Sequence, residues 1–340
     1  MANVIFDGYD KKYPNLVMDI LNYFSLDNES TKPIEKRSVL KFCQLYQHNV
    51  NVIYQPWIIS AICKRLCEKR QMLCLKSMGG LGMEDNYLFA INYPKIFQEE
   101  KSRLKYYYNS IVYGFEYICE MYQNIVVPLV WEKDNGDYSA GTGFKFLNGI
   151  VTAKHCFTDV KNLQIKGYTA KELENKSIYI SVNEGIDIAF IKTDRIEEPL
   201  IYCEEGTVLQ EVLVMGYPKI PAFTNFLTAE KASISSKAEA RITPTKGFIA
   251  AYANEYLAKV EAMLITAKIR GGNSGGPVIN ENGCLVGIAC QLPNYSGEIG
   301  DYDDLGYGIA IPSKYLKDIV YSKTSTLLEV KNDFFQDFNE

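Results

Sequence analysis

Histidine is scarce in this sequence, which has 340 residues and two histidines, His48 and His155. A mechanism that needs an imidazole base must use one of them, because histidine is the side chain that ordinarily titrates near neutral pH. His48 lies at the end of a helical pattern, where a protonated ring complements the helix dipole, and we interpret it as a surface residue. His155 ends the apolar strand pattern GIVTAKHCF and is the candidate base.

The sequence also lacks a secretory leader and a membrane-spanning run. Its first residues show no basic stretch followed by about 7–15 apolar residues, and no uninterrupted apolar run is long enough to cross a bilayer. The nine cysteines are odd in number and have no paired spacing. Cysteines scattered in this way are typical of reduced thiols, so we expect a cytoplasmic protein that makes no membrane contact.

Metal-ligand spacing is equally scarce. Cys63 and Cys67 lie four residues apart in a helical pattern, but a zinc site needs about four ligands and the only nearby histidine is His48. We therefore interpret the two thiols as core-facing. The acidic cluster at 301–304 has poor spacing for Ca²⁺ ligands, which favours a solvated loop. We expect no metal and no cofactor.

The overall composition is that of an ordinary globular chain. Hydrophobic residues make up 47% and charged residues 23% of the sequence, which argues against intrinsic disorder. The net charge of −5 excludes a uniformly basic coat for nucleic acid or membrane, but not a local basic face. At about 100–200 residues per domain, the length predicts two domains, or one domain with a long extension.

The first 93 residues predict a small helical domain. Three segments carry apolar residues at i, i+3 and i+4 spacing, and two short apolar runs around a glycine-rich tip then predict a β-hairpin. Three helices followed by a hairpin is the order of a winged helix. We therefore expect a winged-helix-like regulatory domain over 1–93 and a long connecting helix over 94–123. The three helical segments are residues 12–25, 34–48 and 56–70.

Basic residues concentrate in this front domain. Between residues 32 and 76 there are nine lysines and arginines and two acidic residues. A winged helix with a basic third helix can enter a major groove, but here the basic residues lie toward the C-terminal half of that helix, whereas base-reading residues usually lie near its N-terminal end. We favour a regulatory protein partner for this domain and keep nucleic acid as the alternative.

From Ile125 onward the pattern changes to short alternating apolar runs, with turn residues every 8–12 positions. Many short, evenly spaced strands predict an all-β barrel or sandwich. Residues 313–323 predict a short closing helix. Residues 324–340 form a mildly acidic tail whose order the pattern leaves open.

The glycine-rich segment RGGNSGGPV, residues 270–278, carries the strongest chemical signal. A nucleophilic serine needs a sharp turn with backbone N–H groups converging on the developing oxyanion, and glycines permit such a turn. A phosphate-binding loop would instead place a lysine and a helix after the glycines. Ser274 also needs a base and a carboxylate that orients the base. His155 is the candidate base, and Asp187, in the strand pattern DIAFIKT, is the candidate carboxylate.

These segments resemble the trypsin-like, chymotrypsin-fold serine proteases over residues 125–322. TAKHC is similar to the family's TAAHC, DIAFIKT to DIALLKL and GGNSGGPV to GDSGGPV, and they occur in family order. The stretches SAGTGFKFLNGIVTAKHC and GYGIAIPSKYLKDIV are most similar to the Deg/HtrA branch. The resemblance implies a double six-stranded antiparallel β-barrel over 124–323. The expected fold class is thus a two-domain chain, helical in front and all-β behind.

The same resemblance implies roles for the site residues. Ser274 attacks the peptide carbonyl of a protein substrate to form an acyl-enzyme, His155 moves the proton and Asp187 orients His155. The oxyanion hole consists of the N–H groups of Gly272 and Ser274.

A specificity pocket is expected, by analogy, around Lys268, Ile269 and Ala289. No aspartate stands where trypsin-type pockets recognise lysine or arginine. We expect a preference for small or apolar side chains, or for acidic ones if Lys268 points inward.

Several departures from the family pattern are informative. Cys156 follows the histidine without the disulfide partner that secreted members have. Asn273 stands where digestive proteases carry the aspartate that pairs with a new amino terminus, so activation by N-terminal trimming is not expected. Deg-type enzymes usually append a PDZ domain, whereas residues 324–340 alone follow the barrel here, and we expect none.

The sequence therefore predicts an intracellular serine endopeptidase that its N-terminal domain controls. The arrangement resembles the trypsin-like proteases that bacteria use as effectors, including in anti-phage defence, where cleavage activates a partner. The alternative is a nucleic-acid-binding winged-helix regulator whose barrel is a catalytically silent sensor.

Overall fold

The computed structural model describes thirteen segments of the chain, which divides into two units, residues 1–118 and 119–340. Hydrophobic side chains form a core in the first unit and two further cores in the second. Among the described residues, no helix is both long enough and apolar enough to cross a membrane. The described segments are residues 8–26, 33–50, 54–90, 98–133, 136–158, 160–195, 201–221, 231–235, 238–255, 260–290, 307–321, 325–331 and 334–338.

The front unit begins with helices close to the predicted segments. The segment 12–25 is helical on both sides of a turn that contains Pro14, and the segment 34–48 opens with a separate 3₁₀ turn. The third helix starts at Pro56, where the missing N–H of proline costs no hydrogen bond. The elements are α1 (Tyr9–Lys12), α2 (Leu16–Tyr23), a 3₁₀ turn (Ile34–Lys36), α3 (Val39–Val50) and α4 (Pro56–Glu68).

A two-stranded hairpin follows these helices. Strand β1 (Leu73–Lys76) pairs antiparallel with β2 (Asn86–Leu88), with Leu73 opposite Leu88. The apolar faces of α2, α3 and α4 bury Ile20, Phe42 and Ile59 in the core of this unit. The observed order of helices and strands is the predicted one, and the assignment of the unit to the winged-helix class stays a prediction.

The segment 94–123, which we expected to be one connecting helix, contains two helices, α5 (Gln98–Tyr113) and α6 (Phe115–Gln123). Gly114 separates them with a φ of +74°, a left-handed conformation that glycine adopts readily at helix ends. Tyr108, Ile111 and Val112 of α5 are buried in the core of the front unit. Helix α5 is therefore a packed part of that unit and not a free connector.

The second unit is built from antiparallel strands. Six strands close into a barrel in the order β13-β14-β17-β16-β15-β9. These strands are β9 (Glu211–Gly216), β13 (Thr243–Glu255), β14 (Val260–Ile265), β15 (Pro277–Asn280), β16 (Leu285–Cys290) and β17 (Gly308–Pro312).

Seven strands form the other large sheet, which we call the first sheet because most of its strands precede the barrel in the chain, in the order β18-β7-β8-β5-β4-β3-β6. They are β3 (Val126–Glu132), β4 (Tyr138–Phe146), β5 (Gly149–Thr152), β6 (Lys161–Ile165), β7 (Ile178–Ser181), β8 (Ala189–Lys192) and β18 (Ser325–Leu327). The remaining elements are the small sheet of β10 (Lys219–Pro221), β11 (Lys231–Ser235) and β12 (Ala238–Arg241), and helices α7 (Ala170–Leu173) and α8 (Ser313–Tyr321).

The predicted antiparallel β architecture is confirmed, with one difference in strand number. The first sheet has seven strands, where six were expected, because β18 from the C-terminal segment pairs with β7. Helix α8 lies where the closing helix was predicted.

The C-terminal segment packs against this first sheet. Phe334 and Phe335 are buried, and the Phe334 ring stacks on Phe157 with ring centroids 5.9 Å apart. The backbone of Leu163 donates to the Phe334 carbonyl and accepts from the Gln336 N–H, both at 2.9 Å. The order that the sequence pattern left open is thus supplied by two adjacent aromatic residues.

Candidate active site

His155 and Asp187 are brought together by neighbouring strands. His155 lies in a 3₁₀ turn (Lys154–Phe157) directly after β5, and Asp187 lies just before β8. Strands β5 and β8 pair antiparallel with Thr152 opposite Ala189, which places the end of one beside the start of the other. His155 Nδ1 is 2.6 Å from Asp187 Oδ2, and the His155 backbone N–H donates to Asp187 Oδ1 at 2.8 Å.

This pairing selects one form of the imidazole ring. An ionised carboxylate only accepts hydrogen bonds, so Nδ1 carries the proton that is donated to Asp187. The lone pair of a neutral ring is then on Nε2, the nitrogen that faces away from the carboxylate. The Asp187 side chain is 16% exposed and the His155 side chain 41% exposed, so the base is open to a substrate while its partner is shielded.

Cys290 is a third contact of Asp187, which sequence reasoning missed. Its Sγ lies 3.0 Å from Asp187 Oδ2, although 103 residues separate the two in the chain. Burial, and then the negative charge of Asp187, raise the pKa of the Cys290 thiol well above its ordinary value. The thiol therefore stays protonated and acts as a donor to the carboxylate. No local pattern reveals this contact, because it depends on the packing of β16 against the loop before β8.

Ser274 lies on the turn between β14 and β15, where the backbone conformation requires glycine. Gly272 has a φ of +103°, and a Cβ there would lie 2.4 Å from the Tyr217 carbonyl oxygen. Gly275 has a φ of +87°, and a Cβ there would lie 2.2 Å from the Thr142 carbonyl oxygen. Both positions exclude larger residues, by conformation and by lack of space.

The turn lies beside the strand ends that carry His155 and contact Asp187. The Gly275 N–H donates to the Ala289 carbonyl at 2.7 Å, and Ala289 precedes Cys290. On the other side, a Cβ on Gly275 would be 2.6 Å from the backbone nitrogen of Ala153, two residues before His155. Ser274 Oγ and the His155 ring form no hydrogen bond with each other. Such bonds are often long in the absence of substrate.

Two backbone donors at this turn are unused. Neither the Gly272 N–H nor the Ser274 N–H donates to any described residue, and both residues are buried. Buried N–H groups are almost always hydrogen-bonded. A pair of vacant donors beside a serine is an arrangement suited to an oxyanion.

The three residues expected around a specificity pocket have different surroundings. Lys268 is exposed, and its carbonyl accepts from Thr245 Oγ1 at 3.0 Å. Ile269 is half-buried, and its side chain fills the space next to Gly308. Ala289 is buried in the barrel core. Their role in substrate recognition stays a prediction. The acidic cluster at 301–304 lies outside the described residues.

Residues 141–288 match the family described as the trypsin-like peptidase domain. This segment is therefore similar to trypsin-like peptidase domains. Two curated relatives are similar to it. A probable periplasmic serine endoprotease, DegP-like, of Rickettsia prowazekii is 28% identical over 215 residues, which are 60% of this chain and 38% of the relative. Protease Do-like 2, chloroplastic, of Arabidopsis thaliana is 26% identical over 200 residues, which are 56% of this chain and 30% of the relative.

The predicted resemblance of the peptidase domain to the Deg/HtrA branch is confirmed by these relatives. The chain spans 38% of the first relative's length and 30% of the second's. Among solved structures, a protease from M. tuberculosis in its active form has a TM-score of 0.44 and 18% identity, over 63% of this chain and 86% of that one.

Proposed function

We propose that the peptidase domain is a serine endopeptidase acting on protein substrates. Ser274 Oγ attacks the peptide carbonyl carbon while His155 Nε2 takes the hydroxyl proton. The new oxyanion accepts hydrogen bonds from the Gly272 and Ser274 N–H groups. Collapse of this tetrahedral intermediate breaks the C–N bond, and His155 returns the proton to the leaving amine. Water, deprotonated by His155, then hydrolyses the acyl-enzyme and restores Ser274.

The observation that carries this proposal is the polarised histidine beside a turn with vacant donors. Asp187 receives hydrogen bonds from the His155 ring, the His155 backbone and Cys290, which fixes both the carboxylate and the imidazole. An imidazolium formed during the reaction is stabilised by the adjacent carboxylate. A barrel that served only as a sensor would have no need of a base held in this form.

The test is the appearance of new amino termini in a mixture of unfolded proteins. Wild-type protein is expected to generate them, and Ser274→Ala is not. Ser313→Ala is the matched control, because Ser313 is a buried serine in the same unit whose hydroxyl donates to the Glu204 carbonyl at 2.9 Å. Cleavage that survives Ser274→Ala, or no cleavage by folded wild type, would contradict the proposal.

The cleavage sites identified in the same experiment also test the specificity pocket. We propose a preference for small, apolar or acidic residues before the cleaved bond, with a pocket lined by Lys268, Ile269 and Ala289. Replacement of Lys268 by glutamate is expected to remove any acidic preference. An unchanged cleavage pattern in that variant would exclude Lys268 as a determinant.

For the front unit, we propose control of the peptidase by a protein partner in the cytoplasm, as in an effector protease that activates another protein by cleavage. Exposed apolar side chains on its hairpin support a protein contact: Leu73 is 59%, Met78 63% and Leu81 62% exposed. Several basic residues of the cluster at 32–76, among them Arg37 and Arg65, bond within the unit. Arg37 is buried and donates to the Tyr23 and Ser25 carbonyls, and Arg65 Nε donates to the Ile111 carbonyl.

One measurement tests for a protein substrate, and a second tests for nucleic acid at the front unit. A pull-down with Ser274→Ala, which should retain an uncleaved substrate, is expected to capture a protein that wild type releases. A salt titration with duplex DNA and RNA is expected to show no affinity. Salt-dependent binding at low ionic strength would instead favour the nucleic-acid regulator.

A further inference from the structure

Thr142, on β4, is the residue of the first sheet that touches the serine turn most directly. It is fully buried, and each of its polar atoms is hydrogen-bonded. Its N–H donates to the Ser274 carbonyl at 2.9 Å, and its hydroxyl donates to the Gly272 carbonyl at 2.6 Å. The same hydroxyl oxygen accepts from the Tyr217 N–H at 2.8 Å.

The strand register leaves the Thr142 carbonyl without a donor from β3. Thr142 stands opposite Pro128 on β3, and proline has no N–H to donate across the ladder. The Thr142 carbonyl accepts instead from Thr152 Oγ1 at 2.7 Å. Because the Tyr217 N–H occupies one lone pair of the Thr142 hydroxyl, the hydroxyl proton is directed to the Gly272 carbonyl.

The peptide units of the turn show what this bond controls. In a trans peptide the N–H and the C=O point in opposite directions. The Gly271 carbonyl accepts from the Lys219 N–H at 3.1 Å, so the Gly272 N–H points the other way. The Asn273 carbonyl accepts from the Gly276 N–H at 2.9 Å, so the Ser274 N–H is likewise directed away from that contact.

Between these two units lies the Gly272–Asn273 peptide. Its N–H donates to the Arg270 carbonyl at 2.9 Å, and its carbonyl is the one that Thr142 holds. A rotation of this peptide that is not compensated by the torsion angles at Gly272 and Asn273 would turn both neighbouring units, because they share its flanking Cα atoms. Gly272, which has no side chain, offers little steric resistance to such a rotation. The resistance must therefore come from hydrogen bonds.

We propose that Thr142 is a positioning residue for the oxyanion hole. Its hydroxyl fixes the Gly272–Asn273 peptide and thereby keeps the N–H groups of Gly272 and Ser274 convergent. Thr142 does not touch the substrate. The proposal rests on the proposed peptidase function, and it links the first sheet to the chemistry of the second through a single side chain.

The test is the rate at which a fluorophosphonate labels the full-length protein, which requires no knowledge of the substrate. Thr142→Val keeps the shape of the side chain and removes the hydroxyl. We expect the maximal labelling rate to fall about tenfold or more, since loss of one oxyanion donor itself costs roughly 10²–10³-fold. The probe concentration for half-maximal rate should change by less than about threefold, because ground-state binding is untouched.

The final extent of labelling separates positioning from misfolding. Unfolded protein lowers the extent, whereas a misplaced oxyanion hole lowers the rate at full extent. Thr142→Ser, which keeps the hydroxyl, is expected to recover most of the rate. If Thr142→Val does not fold, the comparison of Thr142→Ser with Thr142→Ala replaces it. Thr193→Val is the matched control, because Thr193 is a buried threonine after β8 whose hydroxyl donates to the Asn148 carbonyl at 3.2 Å.

Two results would overturn the positioning role. One is a Thr142→Val protein that labels to full extent at the wild-type rate. The other is a Thr142→Ser protein as slow as Thr142→Ala, which would assign the effect to the lost methyl group. Absence of labelling in folded wild type would instead contradict the proposed peptidase function itself.

Discussion

The burial of Phe334 allows us to predict how much the C-terminal segment stabilises the second unit. Its ring is 9% exposed and stacks on Phe157 at an interplanar angle of 17°, two residues after His155. Phe334→Ala removes this stacked ring and leaves a cavity, which typically costs about 3–5 kcal/mol. For a unit of this size, each kcal/mol lowers the melting temperature by about 2–4 °C. The lower end of this cost corresponds to a decrease of about 6–12 °C.

The assay uses the two tryptophans of the chain, one in each unit. Trp57 lies in the front unit and is 40% exposed, whereas Trp131 lies on β3 and is 8% exposed. In a Trp57→Phe background, thermal unfolding followed by tryptophan fluorescence reports on the peptidase domain alone. Leu327→Ala is the matched control, because Leu327 belongs to the same C-terminal segment but is 58% exposed. A Phe334→Ala shift no larger than the Leu327→Ala shift would refute the packing role of the segment.

Three further predictions concern individual carboxylates and a thiol. Asp187→Asn is expected to slow fluorophosphonate labelling on the order of 10³–10⁴-fold, because an amide no longer enforces the Nδ1–H form of His155; a loss below about tenfold would contradict this role. Cys290→Ala should slow labelling about tenfold through loss of one donor to Asp187, whereas Cys290→Ser, which keeps a donor, should label at nearly the wild-type rate. Equal labelling rates for Cys290→Ala and Cys290→Ser would contradict a role for this contact. Burial raises the pKa of Asp19 to about 6, so its destabilising effect is complete above that pH and vanishes below about pH 4. Asp19→Asn should therefore slow hydrogen exchange in α2 at pH 7.5 by the equivalent of about 1–3 kcal/mol and leave it unchanged near pH 4; the same effect at both pH values would contradict the linkage.

Local sequence patterns were sufficient to select the candidate residues that lie at the ends of neighbouring strands. His155 and Asp187 each lie at the end of a strand with a clear apolar pattern, and those strands are direct neighbours in the sheet. The glycines around Ser274 likewise report a local backbone requirement, since the positive φ of Gly272 is a property of the turn itself.

Contacts between distant segments were beyond such patterns. Cys290 reaches Asp187 across 103 residues, and Thr142 reaches Gly272 across 130. A cysteine at 290 and a threonine at 142 are both ordinary residues for a strand, so composition and periodicity do not indicate these contacts. The order of the C-terminal segment has the same origin, because Phe334 is held by a ring far away in the chain.

The break in the segment 94–123 had a local signal that periodicity obscured. The apolar spacing continues through Gly114 almost without interruption, which predicted one helix. The left-handed conformation of Gly114 ends α5 there, as glycine commonly does at a helix C-terminus. A single glycine thus outweighed the apolar pattern on both sides of it.

The nucleophile is identified most directly by locating a fluorophosphonate adduct on the full-length protein by mass spectrometry. We predict one adduct per chain, on Ser274, absent in Ser274→Ala and strongly reduced in His155→Ala. An adduct on another residue that persists in Ser274→Ala, or no adduct on folded wild type, would contradict a nucleophilic Ser274.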